Sequence, residues 1–216
     1  MFLPEGAPAS LRDRIRRKIV EQIGRGEFQP GCRLNLARIS GAMGVSPTPV
    51  REALTQLQHE GLVRSEPQRG FFVPEFSVQR LEETYPILAV LEGLAVRSLP
   101  TYPQRTIIAL RAANAQLAAT ESDPLTAFEA DLLWHTYLVE RCRNTTLLDE
   151  LTRLRQRIAS CELAFMREAG NRPDSVADHE KVASLLEAGD HPRAAQALQS
   201  HWSRSTVFVR SRGDVL

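Results

Sequence analysis

Asp131 and His135 stand one helical turn apart, so on a helix their side chains share a face. Phe128 and Leu138, three before and seven after Asp131, turn that face inward. His179 is followed by Val182, Ala183 and Leu186 at i+3, i+4 and i+7, and His201 closes a stripe made by Ala194, Ala197 and Leu198. One carboxylate and three imidazoles from three helices, all facing a common core, form a donor set for one divalent transition metal. Zinc, nickel, copper and manganese suit it, whereas calcium and magnesium favour all-oxygen shells. Octahedral coordination would leave two positions for water or a small ligand. Two other uses of these residues stand beside that one. The first is a metal-free network of hydrogen-bonded core residues, because buried polar groups must be paired. The second is a metal-dependent hydrolase that activates water. Against hydrolysis, His179-Glu180 is followed by Ala183, so no His-Glu-x-x-His motif forms, and the chain has neither a nucleophile elbow nor a glycine-rich phosphate loop. His59 and His191 lie on no such stripe and read as surface or helix-end residues.

A second constellation occupies residues 44–61. Val50, Ala53, Leu54 and Leu57 make one apolar helix face, while Arg51, Thr55 and Gln58, at i, i+4 and i+7, make another pointing elsewhere. A helix with a buried stripe beside an Arg/Thr/Gln stripe can rest on a protein core and reach base edges in a major groove. Gly44 frees the preceding turn, Ser46 is placed to cap the helix, and Pro47 at its first position forfeits no internal hydrogen bond.

These groups need a scaffold. Leu11, Ile15, Ile19 and Ile23 recur every fourth residue, predicting a first helix that Gly24 and Gly26 end. A short second helix follows over about Leu34 to Met43. Gly61–Arg64 and Arg69–Val73, separated by a polar turn through Pro67, read as two short strands. Three helices and a β-hairpin make a winged helix-turn-helix over 1–75. A boundary falls at Pro74-Glu75-Phe76-Ser77. Beyond it helical patterns run over about 77–99, 102–120, 124–142, 144–169, 175–188 and 190–211, broken at Pro100/Pro103, Ser122-Asp123-Pro124, Arg143-Asn144, Gly170–Pro173 and Gly189-Asp190. The expected fold is therefore mainly α: the winged head, then an all-α six-helix bundle over 76–216 with room for a ligand between its helices.

Charge divides along the same boundary. Residues 1–75 hold 11 Lys/Arg against 8 Asp/Glu, and 76–216 hold 16 against 18, a modestly basic reader joined to a slightly acidic sensor. Arg12, Arg14, Arg16, Arg17 and Lys18 cluster on the first helix as a solvated face or as phosphate contacts. No apolar run reaches membrane-spanning length, and residues 1–10 lack a signal peptide's charged start and apolar core. Cys32, Cys142 and Cys161 are odd in number and widely spaced, as expected of reduced thiols in a cytoplasmic protein.

The head resembles the GntR family of bacterial transcription regulators. The matching residues are Ile23, Gly26, Phe28 and Pro30-Gly31, then Val45-Ser46, Thr48-Pro49-Val50-Arg51-Glu52-Ala53-Leu54, Glu60-Gly61-Leu62-Val63 and Gly70. The bundle resembles the FCD ligand-sensing domain of the FadR subfamily, in Asp131 through His135, His179 through Gly189-Asp190, and His201; its six helices are similar to the VanR-type branch. The resemblance implies double-stranded operator DNA contacted by Arg51, Arg69 and Gly70, with Arg38 displaced by one residue from the usual contact; Ser46, Thr48 and Thr55, at the start and on the polar stripe of the same helix, are further DNA-contacting candidates. It also implies a metal, commonly zinc or nickel, ligated by Asp131, His135, His179 and His201 and accepting a small carboxylate effector. A homodimer formed through the sensor domains would select an inverted repeat. Two departures stand out. Pro47 replaces the arginine that usually follows the serine, removing one DNA contact. Leu88 replaces an arginine that often faces the effector, and Arg153, Arg155 or Arg157 could supply that charge instead. The expectation is a cytoplasmic repressor, not an enzyme, in which effector binding shifts the bundle's helices and the spacing of two heads.

Overall fold

The computed structural model describes residues 10–120, 123–167 and 172–212. The chain divides into two compact units, Met1–Glu75 and Phe76–Leu216. In the first, α1 (Leu11–Gly24), β1 (Arg33–Leu34), α2 (Leu36–Met43), α3 (Pro47–His59), β2 (Arg64–Glu66) and β3 (Gly70–Phe72) follow in order. Ser10 starts α1 with a capping box, its hydroxyl accepting from the Asp13 amide while Asp13 reaches back. Ile15, Ile19, Val20 and Ile23 of α1 are buried, and α1 and α2 both pack on α3. Gly44 ends α2 in the left-handed conformation (φ 63°) that a side chain would disfavour.

Three expectations are corrected here. The strand expected over Gly61–Arg64 runs over Arg64–Glu66 instead, because the Gly61, Leu62 and Val63 amides bond back to the end of α3 and only Arg64 onward pairs with β3. The hairpin is a three-stranded sheet of order β1-β3-β2, because Arg33 and Leu34 pair antiparallel with Phe72 and Phe71. Leu34 is thus a strand residue, and α2 begins two residues later behind an Asn35 cap. Ser46 occupies the cap position of α3, but its side chain makes no capping hydrogen bond. The reason is local. Ser10, Asn35 and Ser77 each accept from the amide three residues on, whereas the residue three after Ser46 is Pro49, which has no N–H.

The second unit is wholly helical among the described residues: α4 (Val78–Ser98), α5 (Gln104–Ala119), α6 (Pro124–Val139), α7 (Thr145–Arg167), α8 (Arg172–Glu187) and α9 (His191–Arg212). The expected breaks at Ser122 and at Gly170-Asn171 lie outside the described residues. Neighbouring helices close a ring in the order α4-α9-α8-α5-α6-α7 and back to α4. Its core runs from Leu81 and Leu88 through Ile107, Leu110, Trp134 and Leu138 to Ile158, Leu186, Leu198 and Trp202. None of these helices is long and apolar enough to cross a membrane.

Candidate functional site

In the first unit, Val50, Ala53, Leu54 and Leu57 are wholly buried and fix α3 by one face. Arg16 on α1 clamps its far end, donating through Nε to both Glu60 oxygens at 2.8 and 2.9 Å, with Gln56 bonding the same carboxylate. Arg16 therefore ties the head together and does not lie on a freely solvated face. Arg51, Thr55 and Gln58 stand exposed on the opposite side of α3, as do Ser46 and Thr48 at its start. The Thr55 hydroxyl donates to the Arg51 carbonyl, leaving its lone pairs as acceptors. Arg38 is exposed on α2, 6.0 Å from the centroid of the Phe28 ring. At the wing, Glu66 holds both Arg64 and Arg69, and the two guanidinium groups lie 4.7 and 5.4 Å from the Phe72 ring centroid. Gly70 opens β3 at φ 96°, a conformation reserved for glycine.

In the second unit, the ring of helices brings His135 of α6, His179 of α8 and His201 of α9 together, each at most 4% exposed. One ring nitrogen from each lies within 4.8 Å of the others. Asp131 joins them: its two oxygens stand 3.8 Å from Nε2 of His135 and 3.8 Å from Nε2 of His179, too far for hydrogen bonds. Partners behind the rings set their tautomers. His135 donates from Nδ1 to Glu92 of α4 at 3.1 Å, and His201 does so to Asp178 at 3.3 Å. Each Nε2 is thereby left with a free lone pair, and that of His135 faces Asp131. The ring of His179 stacks on Trp134 at 3.8 Å and 6°. Among the described residues, Nε2 of His135 and both nitrogens of His179 are buried without a hydrogen-bond partner. Burial lowers the pKa of His135, against the attraction of Glu92, and lowers that of His179 strongly, with further repulsion from His201, His135 and Arg155. Neutral imidazoles with unspent lone pairs, facing a carboxylate, are what a divalent ion requires. The residues fit such an ion.

Behind the triad lies a polar joint that sequence reasoning did not assign to the site. Glu92 is fully buried and accepts from His135, from the indole N–H of Trp202 on α9 at 2.9 Å, and from Arg155 of α7. Burial pushes its pKa up, but His135 and Arg155 outweigh that and hold it at about 2. Its signal was an acid on the apolar stripe of α4, four after Leu88 and seven after Tyr85. Of the three candidate arginines, only Arg155 reaches this region, with its side chain 11% exposed; Arg153 and Arg157 lie outside with Glu150 and Glu83. Asp178, beside His179 in sequence, also accepts from Arg204 and ties His201 to the surface. His191, at the start of α9, packs edge-on against Tyr102, and His59 is exposed.

The chain matches two known families in tandem. Residues 11–73 match the bacterial regulatory proteins of the gntR family, and residues 83–204 match the FCD domain. It is 30% identical over 178 residues to the Nta operon transcriptional regulator of Aminobacter aminovorans, covering 81% of this chain and 82% of that one. It is 28% identical over 194 residues to a probable D-xylose utilization operon transcriptional repressor of Paenarthrobacter nicotinovorans, covering 89% and 85%. Among solved structures, McbR/YncC of E. coli shares the fold with a TM-score of 0.70 over 95% of this chain and 99% of that one, at 23% identity.

Proposed function

The chain belongs to the GntR family of bacterial transcription regulators and carries an FCD domain after its winged helix-turn-helix; from that premise we propose a cytoplasmic, dimeric repressor whose operator affinity is set by a small carboxylate metabolite bound at a metal. The proteins it matches are regulators, not enzymes. In the head, Arg51 reads a base or phosphate from α3. Ser46, Thr48, Thr55, Arg38 and Arg69 add backbone or base-edge contacts, and Gly70 lets the wing approach the duplex.

The effector half of the proposal is carried by one observation: the orphaned nitrogens of His135 and His179. In a metal-free network each would need water or another partner, since a buried polar atom left unsatisfied costs about 1–3 kcal/mol, and their convergence with His201 and Asp131 points to a shared ion instead. Asp131, His135, His179 and His201 would hold one divalent ion, zinc or nickel, which would supply a Lewis-acidic seat for a carboxylate. Glu92 and Asp178 each hold the Nδ1 of one imidazole, of His135 and of His201, which leaves Nε2 free to ligate. Arg155, paired to Glu92, places a positive charge behind His135.

A dimer is supported by α4. Ile87, Val90 and Leu94 recur at i, i+3 and i+7 and are 47%, 55% and 45% exposed, an apolar stripe that a second copy can cover by two-fold pairing. Two identical heads would then select an inverted repeat.

The test uses protein purified without a histidine tag and reconstituted with Zn²⁺ or Ni²⁺. Elemental analysis should find one ion per chain, lost in the His135→Ala/His179→Ala double variant. Selection from a random duplex pool should return an inverted repeat. Absence of stoichiometric metal would leave the metal-free network as the better account, and a single asymmetric site would refute the dimeric reader.

A further inference from the structure

Glu162 is a second acid inside the bundle, and nothing described so far uses it. It sits on α7 seven residues after Arg155, on the stripe Arg155-Ile158-Ala159-Glu162, about 10 Å further along the axis. It is only 8% exposed. Among the described residues no hydrogen bond or ion pair reaches it, and Arg155, the buried cation on its stripe, is taken by Glu92. Asp131, Glu92 and Arg155 are the charged groups that act on it. Two turns back along the stripe, Arg155 bonds Glu92, which in turn bonds His135 of the triad at 3.1 Å, and Tyr85 of α4 packs on Trp202 at 4.9 Å beside the same carboxylate.

A nine-tenths buried carboxyl that makes no hydrogen bond stays protonated and neutral unless a positive charge comes beside it. A neutral hydrogen-bond donor could be supplied by glutamine at every pH. What the carboxyl alone supplies is negative charge. Resting on the effector reading above, we infer that Glu162 is a specificity-determining residue that selects effectors bearing a basic nitrogen in addition to the carboxylate held at the histidine–aspartate cluster. An aminocarboxylate fits this description, and a plain hydroxy acid does not. Burial, reinforced by the like charges of Asp131 and Glu92 against the pull of Arg155, raises the Glu162 carboxyl to about 8. An ammonium arriving beside it would drive off the proton and form an ion pair in place of a neutral acid.

The experiment uses full-length protein loaded with Zn²⁺, and a panel pairing each common α-amino acid, and iminodiacetate, with its oxygen counterpart (the 2-hydroxy acid, and diglycolate). Binding is read by thermal shift and calorimetry. At least one amine member should bind tenfold or more tightly than its oxygen partner. That preference should collapse toward unity in Glu162→Gln, an isosteric change that keeps a neutral donor, and should partly return in Glu162→Asp. Equal binding within every pair, or no binding by any amine member, overturns the inference, as does a preference unchanged in Glu162→Gln. Zinc stoichiometry is measured in the same samples. Missing zinc with a surviving amine preference defeats the metal reading alone, whereas bound zinc with oxygen acids favoured defeats only the role of Glu162.

Discussion

Glu162 should make the sensor unit less stable as pH rises, and substituting it should relieve that loss. Its carboxyl is raised from 4.5 to about 8 by burial in the folded chain. Between those values the folded state keeps a proton that the unfolded state has released, so stability falls with rising pH by about 1.4 kcal/mol per unit. The penalty is absent near pH 4, reaches about 3 kcal/mol at pH 7 and levels at about 5 kcal/mol above pH 8. Glu162→Gln carries no such slope. Arg155, Asp131 and Glu92 act on that slope through the raised value of Glu162 itself, and Tyr85, held well above its usual range, does not titrate over the pH range of the assay. The assay is urea unfolding of metal-free protein from pH 5 to 8.5 followed by tryptophan fluorescence. Both tryptophans, Trp134 and Trp202, lie in the second unit, so the signal reports that unit alone. The variant should be the more stable protein, by a margin that widens with pH. Parallel profiles would refute both the burial of an unpaired acid and the inference built on it.

Arg51→Ala should cost roughly 1–3 kcal/mol of binding to a selected duplex if Arg51 reads a guanine, measured by gel shift at fixed salt, with unchanged affinity removing Arg51 from the interface. Because burial holds His135 and His179 below the ordinary histidine value, protons compete with metal only in more acid solution. Zinc retention at equilibrium should therefore persist from neutral pH down through 6.5 and fall below it, whereas loss centred at or above pH 6.5 would contradict that geometry. Val90→Asp places a charge in the exposed α4 stripe and should give monomers by sedimentation that bind a half-site more weakly than the dimer binds its repeat; an unchanged dimer would move the interface elsewhere.

Much of this architecture is legible in residue order because it is local. Leu11, Ile15, Ile19 and Ile23 write α1 directly, and a histidine heading an apolar stripe already says which way its ring points. The joint around Glu92 is different. Its partners His135, Arg155 and Trp202 lie 43, 63 and 110 positions away, and no helical period carries such pairings. The strand β1 escaped for a related reason: two residues form no pattern of their own, and only Phe71 and Phe72 across the sheet make them a strand. Ser46 shows a rule applied one residue short, since Pro49 was visible in the sequence and removes the amide that the cap would have used.

The threefold grip on Glu92 gives the bundle the mechanics of a latch rather than of a spring. An apolar layer can yield by fractions of an ångström, since one methyl contact replaces another as it slides. Arg155 has no such gradation, because leaving Glu92 breaks a largely buried ion pair, at a cost of several kcal/mol, and leaves the carboxylate to His135 and Trp202 alone. A shift of α7 would therefore need another partner for Arg155 before it could leave the observed seat. Glu92 itself rides on α4, which the chain enters from β3 through residues 73–77. Any event that unseats Arg155 removes one of the three donors that hold the Glu92 carboxylate on α4.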